Sequence, residues 1–317
     1  MAEREVLDLD VLFVGAGPAS LAGAIHLKRL LSESGTEASV AVLEKASEIG
    51  AHSLSGAIVD PRALRELFPD YPDTDLPFEA EVSEEHLYYL TENKKIPFPF
   101  VPPSMSHHHC FVTSLGKLTR WLGNKCENEG VDIFCGFAGT KLLYEGEQVV
   151  GVRTGDRGID KNGEKKPQFE PGADIRAKVV ILGEGTRGSL TKNLIDRHEL
   201  MQGCNPQVWA VGVKELWQMP SGTVPPGYVA HTMGFPLGQA IFGGAFLYGM
   251  QNDIWDLGLV VGLDYQNPGV DSHHELQRLK NHPWIRSLLS AGKMIAYGAK
   301  SLPEGGWYSI PKLSVGG

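Results

Sequence analysis

Two patterns of hydrophobic and polar positions divide the chain. Before about residue 206, short unbroken apolar runs alternate with longer amphipathic stretches, and the first such run is Val11–Val14. Unbroken runs of this length are typical of parallel strands that are buried on both faces, and amphipathic stretches are typical of helices. From about Gln207 the runs are β-type and rich in glycine and aromatic residues. The pattern predicts an α/β region followed by a second sheet.

Within the first region the pattern predicts three strands, one helix and one β-hairpin. The strand Val11–Val14 leads into a helix over residues 19–30, and a second strand follows over residues 39–43. A third buried strand is predicted over residues 177–182. A β-hairpin over residues 141–155 precedes it and is expected to form an antiparallel meander.

The second region is predicted to hold strands and one interrupted helix. The strands fall within residues 208–217, 241–250 and 257–266. A helix over residues 271–292 is expected to begin with a capping box of Ser272 and Glu275, and Pro283 should break it before it resumes.

A glycine motif follows the first strand. Gly15 permits a tight turn, Gly17 lets a pyrophosphate approach the main chain, and the helix that includes Ala19 points its N-terminal N–H groups and dipole at that anion. Ser20 occupies the third glycine position and still permits close packing of helix on strand. The motif predicts a dinucleotide site, with a plain strand-to-helix turn as the alternative.

The next strand supports the dinucleotide. It ends in Glu44, a carboxylate that is placed to accept hydrogen bonds from an adenosine ribose. A small-residue loop follows and is expected to wrap a pyrophosphate and the rim of a flavin. Its candidate contact residues are Lys45, Gly50, His52, Ser53, Ser55 and Gly56.

The third buried strand distinguishes FAD from NAD. It ends in Gly183, Glu184 and Gly185, which resemble the Gly-Asp-Gly turn that meets the ribityl chain in glutathione-reductase-type FAD folds. NAD enzymes usually continue with further βα units instead. We therefore expect FAD, with an ordinary strand-to-helix connection as the alternative for this turn.

Charge and cysteine content exclude several classes of protein. The net charge is −9 and Lys and Arg form no run, so nucleic acid is not an expected partner. Cys110, Cys126, Cys135 and Cys204 contain no Cys-x-x-Cys pair and are interpreted as free thiols. Three consecutive histidines, residues 107–109, point to alternating sides of an extended chain and are a poor metal site. No metal ligand and no catalytic side chain is predicted.

Four longer stretches resemble one family. "EKASEIGAHSLSGAIVDPRALRELFPDY", "GCNPQVWAVGVKELW", "GLVVGLDYQNP" and "IAYGAKSLPEGGWYSIPKL" are similar, in the same order, to segments of the electron-transfer flavoprotein:ubiquinone oxidoreductases. The resemblance covers nearly the whole chain. It implies FAD, a quinone pocket, attachment to a membrane surface and one 4Fe–4S cluster. Electrons would arrive from a reduced electron-transfer flavoprotein and leave to ubiquinone.

The resemblance also assigns a quinone site and points to departures. It places the glycines of the quinone head group at Gly243 and Gly244, where a β-bulge is the alternative reading. Phe242 stands where the family often has a tyrosine, which puts a phenolic hydrogen bond in doubt. The family's cluster cysteines lie beyond the segment that matches this chain's end. We expect a fragment of a longer protein, with a shortened relative as the alternative.

The predicted fold class is α/β: a glutathione-reductase-type, Rossmann-like FAD-binding domain with a second β-sheet-plus-helix domain that binds quinone. The expected boundaries are residues 1–206 for the FAD domain, including an apolar loop over 94–111, residues 207–300 for the quinone domain, and residues 301–317 for a return toward the first domain. Other FAD oxidoreductases of this fold, such as a flavin monooxygenase or a geranylgeranyl reductase, and an inactive fragment are the alternatives.

Membrane contact is expected to be peripheral. No stretch reaches the roughly 18 apolar residues of a membrane-spanning helix, and the early first strand leaves no room for a signal or transit peptide. The expected location is the cytoplasmic face of a bacterial inner membrane. The proline-rich loop 94–105 carries Ile96, Phe98, Phe100, Val101 and Met105 and is predicted to dip into the interface, with packing against the protein as the alternative.

Overall fold

The computed structural model describes residues 4–53 and 56–315. The strands, in chain order, are β1 (Val6–Val14), β2 (Val40–Glu44), β3 (Ala57–Val59), β4 (Ala80–Glu81), β5 (Glu84–Leu90), β6 (Lys95–Pro97), β7 (Phe111–Thr113), β8 (Asp132–Cys135), β9 (Gly139–Glu145), β10 (Gln148–Thr154), β11 (Arg157–Ile159), β12 (Lys165–Glu170), β13 (Asp174–Leu182), β14 (Trp209–Gln218), β15 (Tyr228–Gly234), β16 (Gly243–Met250), β17 (Ile254–Gly262) and β18 (Lys293–Pro303).

The helices are α1 (Pro18–Glu33), α2 (Arg62–Leu67), α3 (Leu115–Asn128), α4 (Ser189–Arg197), α5 (Ser272–Lys280) and α6 (Pro283–Leu289), with three short 3₁₀ turns between elements. The chain folds into two compact units. Unit 1 consists of residues 1–53, 119–204 and 310–317, and unit 2 of residues 54–118 and 205–309.

Unit 1 is built on a six-stranded sheet in the order β8-β2-β1-β13-β10-β9. β8, β2, β1 and β13 run parallel, and the hairpin β9–β10 extends the sheet in the antiparallel sense. β1 lies in the middle of the parallel part, and Leu12, Phe13 and Val14 are all buried. This confirms the predicted central strand, the second and third strands and the hairpin.

Unit 2 is built on a seven-stranded sheet in the order β18-β14-β17-β16-β15-β5-β6. We call the two sides of this sheet the inner face and the front face. The inner face packs against α5 and α6, and its core includes Leu247, Leu257, Leu259, Leu276 and Ile285. The three strands predicted from the glycine-rich, aromatic segments lie side by side here as β14, β17 and β16.

The front face is covered at one end by a small sheet of three strands, β3-β7-β4. Val112 of β7 packs there against Leu216, Val229 and Met250 of the larger sheet. The rest of the front face carries half-buried side chains such as Phe246 and Val260. We call this half-buried part the open part of the front face.

The units differ from the continuous domains expected from the sequence. Residues 54–118 belong to unit 2 rather than to an N-terminal domain. The reason is strand pairing, because β5 lies parallel to β15 along seven residue pairs, from Glu84 with Tyr228 to Leu90 with Gly234. Pairing between strands so far apart along the chain leaves no local pattern in the sequence.

The interrupted helix is confirmed, but its predicted capping box is wrong. Pro283 lies in the first turn of α6, immediately after the break. The N-cap of α5 is Asp271, whose carboxylate accepts a hydrogen bond of 2.6 Å from the N–H of His274. Glu275 pairs instead with Arg278 on the same helix, at 2.7 Å.

The corrected cap leads to a stability prediction. Asp271→Ala should lower the free energy of unfolding by about 0.5–2 kcal/mol, because it leaves an N–H group at the start of α5 without its side-chain acceptor. Ser272→Ala is the matched control and should change the free energy of unfolding by less. Urea unfolding of both variants measures the difference. Equal losses would contradict Asp271 as the cap.

Candidate functional site

The candidate cofactor site lies at the carboxyl ends of three neighbouring parallel strands of unit 1. β2, β1 and β13 end there in Glu44, in the Gly15–Gly17 turn and in the Gly183–Gly185 turn. Two main-chain hydrogen bonds hold the turns in line: the N–H of Gly15 donates to Leu43, and the N–H of Gly183 donates to Val14. The structure thus brings together three predicted segments that are separated along the chain.

Different physical reasons explain why glycine occupies the two positions of the first turn. Gly15 has φ +98°, and a Cβ there would lie 2.6 Å from the carbonyl oxygen of Gly183. Gly17 has φ −82°, which any residue adopts, and no described atom lies within 4 Å of its Cβ position. Gly15 is therefore required by the fold, whereas Gly17 leaves an open space that the fold does not use.

The helix that follows begins at this open space. Gly17 is the N-cap of α1, no described side chain caps the helix, and Pro18 lies in its first turn. The first N–H groups of a helix have no partner within the helix and attract anions. Ser20 is 3% exposed, and its Oγ has no hydrogen-bond partner among the described residues. These features fit a pyrophosphate group.

Glu44 connects the two loops that border the site. One carboxylate oxygen accepts a hydrogen bond from the N–H of Ala16, and the other accepts one from the N–H of Ala46, both at 2.8 Å. A carboxylate has about four lone-pair positions, so these contacts orient Glu44 and leave acceptor capacity for ribose hydroxyl groups. The sequence predicted Glu44 but not the two N–H groups that hold it.

The loop after Glu44 lies partly at the surface. Lys45 and His52 are exposed, and Gly50, with φ +79°, forms a turn in which the N–H of Ser53 donates to its carbonyl. The predicted contacts of these four residues with a cofactor stay predictions. Ser55 lies outside the described residues.

Gly56 has a role that the sequence did not indicate. It belongs to unit 2, and a Cβ there would collide with the carboxylate of Asp256. Its carbonyl oxygen accepts a hydrogen bond of 2.8 Å from Nζ of Lys214. Gly56 therefore packs against a charged pair of the second sheet.

The side chain of Glu184 is bound to the start of α4. Its carboxylate accepts hydrogen bonds from the N–H groups of Leu190 and Thr191 and from the hydroxyl of Thr191, at 2.7–3.2 Å. The predicted contact of Glu184 with a cofactor stays a prediction. Gly183 packs against Ser20, and Gly185 has φ +72° with no described atom near its Cβ position. The main chain of this turn remains the candidate contact.

Sheet packing alone accounts for the two glycines of the predicted quinone site. A Cβ at Gly243 would collide with the carbonyl oxygen of Val260, and one at Gly244 with that of Thr232. The register between β16 and β17 is regular at both residues, so there is no β-bulge at this pair of strands. Their contact with a quinone stays a prediction. Phe242, next to them, is 62% exposed.

A row of polar side chains on the front face of the seven-stranded sheet was not predicted from the sequence. Each lies on an otherwise apolar strand or beside one, and a charge inside a run such as "IWDLGLVVG" was a signal that could have revealed it. We call this set the front-face polar row. Its members are Glu85, His107, Lys214, His231, Tyr248 and Asp256.

Contacts connect neighbouring members of the row. His107 and Glu85 are 2.7 Å apart through Nδ1 and Oε1, and the rings of His107 and His231 lie 5.6 Å apart. Nε2 of His231 is 3.1 Å from the hydroxyl of Tyr248. Tyr248 lies directly opposite Asp256 on the next strand.

Burial shifts the pKa values along the row. Burial raises the pKa of Asp256 to about 7, against the opposing effect of Lys214. Burial also lowers the pKa of Lys214. It lowers that of His231 to about 4, with His107 adding to the effect. Loss of hydration disfavours the charged forms of these three side chains.

The apolar loop 94–105 is exposed at its centre. β6 forms the edge of the seven-stranded sheet, and the exposed fractions are 46% for Ile96, 40% for Phe98 and 67% for Phe100. Val101 and Met105 are half-buried. The predicted interfacial role of this loop stays a prediction.

Membrane-spanning helices and metal-ligand clusters are both absent from the part of the chain that the structure describes. Within residues 4–53 and 56–315, no helix is long and apolar enough to cross a membrane. No group of three or more His, Cys, Asp or Glu side chains in these ranges could hold a metal ion. The four cysteines are unpaired, and Cys126 is the buried one among them.

Solved structures establish the class of fold. A geranylgeranyl bacteriochlorophyll reductase-like protein from Thermoplasma acidophilum aligns with a TM-score of 0.66 and 17% identity, over 94% of this chain and 67% of that one. A myxobacterial chondrochloren halogenase, a FAD-dependent halogenase, aligns with a TM-score of 0.60 and 16% identity, over 94% and 64%. The chain has the Rossmann-like fold of FAD-dependent enzymes, as predicted.

Sequence comparison gives a more specific resemblance than the fold does. The family model "ETF-QO, ubiquinone-binding" matches residues 209–302. Electron transfer flavoprotein-ubiquinone oxidoreductases of Mus musculus and Dictyostelium discoideum are 44% and 42% identical over 99% and 98% of this chain. Nearly the whole chain is similar to these enzymes, and it spans about half the length of these relatives, 52% and 51%.

The predicted bacterial location is wrong. The relatives of Mus musculus, Dictyostelium discoideum and Oryza sativa are all named mitochondrial enzymes. The prediction depended on the short stretch before the first strand, and that stretch does not identify the compartment.

The open space at Gly17 gives a prediction about cofactor binding. Gly17→Val should release flavin while the free energy of unfolding changes little, because the new side chain fills space that no described atom uses. Flavin absorbance after gel filtration measures binding, and urea unfolding measures stability.

Gly15→Ala is the matched comparison at the same turn. It should lower the stability of the protein, because its Cβ would meet the carbonyl of Gly183 and φ is positive. Full retention of FAD by the Gly17 variant would contradict the cofactor site.

Proposed function

We propose that the protein binds FAD in unit 1 and passes electrons from reduced electron-transfer flavoprotein through FAD to ubiquinone. The observation that carries this proposal is the match of the ubiquinone-binding family model to residues 209–302. That range contains β14, β15, β16 and β17 and nearly all of β18. The sheet that would receive the quinone is thus the part with the most specific family signature.

In this proposal the first turn and Glu44 hold the cofactor. The N-terminus of α1 and the open space at Gly17 receive the pyrophosphate, and the carboxylate of Glu44 accepts hydrogen bonds from the ribose. Bound FAD supplies a redox centre that accepts electrons singly and can release two, as a one-electron donor and a quinone require. The main chain at Gly183 and Gly185 is a further contact.

The quinone would bind at the open part of the front face. Gly243 and Gly244 begin β16 there, and the ring of Phe246 covers Gly258 on the neighbouring strand. A quinone ring combines a flat apolar body with two polar oxygens, so an aromatic side chain beside half-buried glycine main chain suits it.

The loop 94–105 would attach the protein to the membrane that holds the quinone. Its exposed apolar side chains can enter the interface, with Lys94 and Lys95 at the level of the headgroups. Each buried CH₂ contributes about 0.8 kcal/mol, so two phenylalanines and their neighbours contribute several kcal/mol, enough for reversible binding.

The 4Fe–4S cluster implied by the resemblance has no ligand set among the described residues. We assign no step of the reaction to a cluster in this chain. Electron-transfer flavoprotein is the proposed donor on the evidence of the relatives' names.

Quinone reduction by the FAD-loaded chain tests the proposed function. With reduced electron-transfer flavoprotein as donor and a soluble ubiquinone analogue as acceptor, we expect the quinone absorbance to fall only when both are present. NADPH oxidation that is stimulated by an organic substrate, without quinone reduction, would favour another FAD oxidoreductase of this fold. Chain without bound flavin after purification in excess FAD would favour an inactive fragment.

The membrane loop gives a separate prediction. Phe98→Ser combined with Phe100→Ser should reduce co-sedimentation with liposomes about tenfold or more, since the side chains that would enter the interface are lost. The flavin spectrum should not change.

The control exchanges two other exposed aromatic residues, Tyr297 and Tyr308, each 75% exposed, for serine. Liposome binding should persist in this control. Equal binding by the Phe98 and Phe100 variant would assign the loop to packing within the protein.

A further inference from the structure

Asp256 is a buried carboxylate that the fold does not neutralise by hydrogen bonds. Its side chain is 0% exposed, and neither oxygen has a hydrogen-bond partner among the described residues. Nζ of Lys214 lies 3.5 Å from Oδ2, within ion-pair distance, and directs its hydrogen bond to the carbonyl of Gly56. A buried charge with so few partners costs stability, so packing alone gives no reason for it.

Lys214 connects this carboxylate to the open part of the front face. Its side chain is 16% exposed, and Nζ lies 5.9 Å from the centre of the Phe246 ring. Phe246 in turn stacks on Tyr248, with ring centres 4.8 Å apart. Lys214 is thus the member of the pair that a molecule on the front face could contact.

The remaining members of the front-face polar row begin on the strand beside Asp256 and extend toward solvent. Tyr248 lies opposite Asp256, its hydroxyl contacts His231, and the ring of His231 lies beside that of His107. The side chain of His107 is 29% exposed and pairs with Glu85. Hydroxyl and imidazole groups can each accept a proton at one site and release one from another.

We propose that Lys214 donates protons to the quinone reduced on the front face, that Asp256 stores a proton for Lys214, and that Tyr248, His231 and His107 return protons from solvent. This inference rests on the proposed function. Lys214 is the catalytic residue in this scheme, because it is the member that can contact the substrate. Asp256 acts through Lys214.

Protons and electrons balance for each quinone molecule that is reduced. Two electrons come from the flavin, which is reoxidised, and two O–H bonds form on the quinone oxygens to give the quinol. Lys214 releases a proton to each oxygen in turn, and the carboxyl of Asp256 returns a proton to the neutral amine between the two releases. The neutral amine and the carboxylate that remain then take up two protons from solvent through the row.

The electrostatics of the pair agree with this use. The titratable groups that face Asp256 are Lys214 on β14 and Tyr248 on β16, and the segment at Gly56 adds main chain. Burial raises the pKa of Asp256 to about 7, so the carboxyl holds its proton below that pH and loses it above. The proton store should therefore empty as pH rises through about 7.

Infrared spectroscopy tests directly whether the carboxyl of Asp256 holds a proton, without quinone turnover. In FAD-loaded wild-type protein we expect the C=O absorption of a protonated carboxyl to disappear as pH rises through about 7. Asp256→Asn should abolish that titration. Thermal unfolding checks that the variant is folded. If a folded variant lacks the C=O band, the band belongs to Asp256.

Tyr248→Phe removes one hydroxyl oxygen and so tests the return of protons from solvent through the row. Quinone reduction should slow on the order of tenfold or more at pH 7, with a larger solvent deuterium effect, while flavin reduction by the donor is unchanged. Tyr228→Phe is the control, since Tyr228 packs against Trp255 and contacts the hydroxyl of Tyr88, away from the row. The control should keep the wild-type rate.

The outcomes separate the inference from the proposed function. A wild-type chain that shows the titrating carboxyl but reduces no quinone contradicts the proposed function and still supports Asp256 as a proton store. A chain that reduces quinone without the titrating carboxyl overturns the inference. An unchanged rate and isotope effect in Tyr248→Phe would also overturn it.

Discussion

The close approach of two turns at the edge of the parallel sheet is the constraint on which the candidate cofactor site depends. β1 and β13 pair along eight residues and end level with each other, which brings Gly15 against Gly183. A side chain at Gly15 would separate the turns and displace the start of α1. The open space at Gly17, the orientation of Glu44 and the position of Ser20 all follow from this one approach.

Unit 2 depends on a different constraint, the pairing of distant strands. β5 and β15 are parallel neighbours, although more than a hundred residues separate them in the chain. This pairing adds residues 54–118 to the second sheet and carries Glu85 to the same face as His231. Without it, the front-face polar row would lack the members that reach solvent.

The two faces of the second sheet handle buried charge differently. On the inner face, Glu215 accepts two hydrogen bonds of 2.9 Å from Lys280 and one from the indole of Trp217, so that its charge is well satisfied. This pair ties α5 to β14. On the front face, Asp256 has one cation at 3.5 Å and no hydrogen bond among the described residues. A satisfied pair is structural, whereas an unsatisfied one is easily protonated, which is the physical basis for assigning the two pairs different roles.

The sequence by itself determined the elements whose signals are local. The apolar run before Gly15, the hairpin over residues 141–155 and the break at Pro283 depend on neighbouring residues, and the structure has each of them. The capping of α5 was placed one residue too late, since both Asp271 and Ser272 are good caps and the choice depends on main-chain geometry. Likewise, the sequence did not indicate that the carboxylate of Glu184 accepts hydrogen bonds from the first turn of α4.

Tertiary structure decided which distant residues meet. No spacing in the sequence relates Gly56 to Asp256, or His107 to His231, because strand order and register alone bring them together. The same holds for the discontinuous units and for the reasons behind Gly243 and Gly244, whose neighbours are carbonyl groups of other strands. Local patterns report how a residue sits relative to its neighbours in the chain, while burial, pKa and packing arise from contacts that form only after the sheets are assembled.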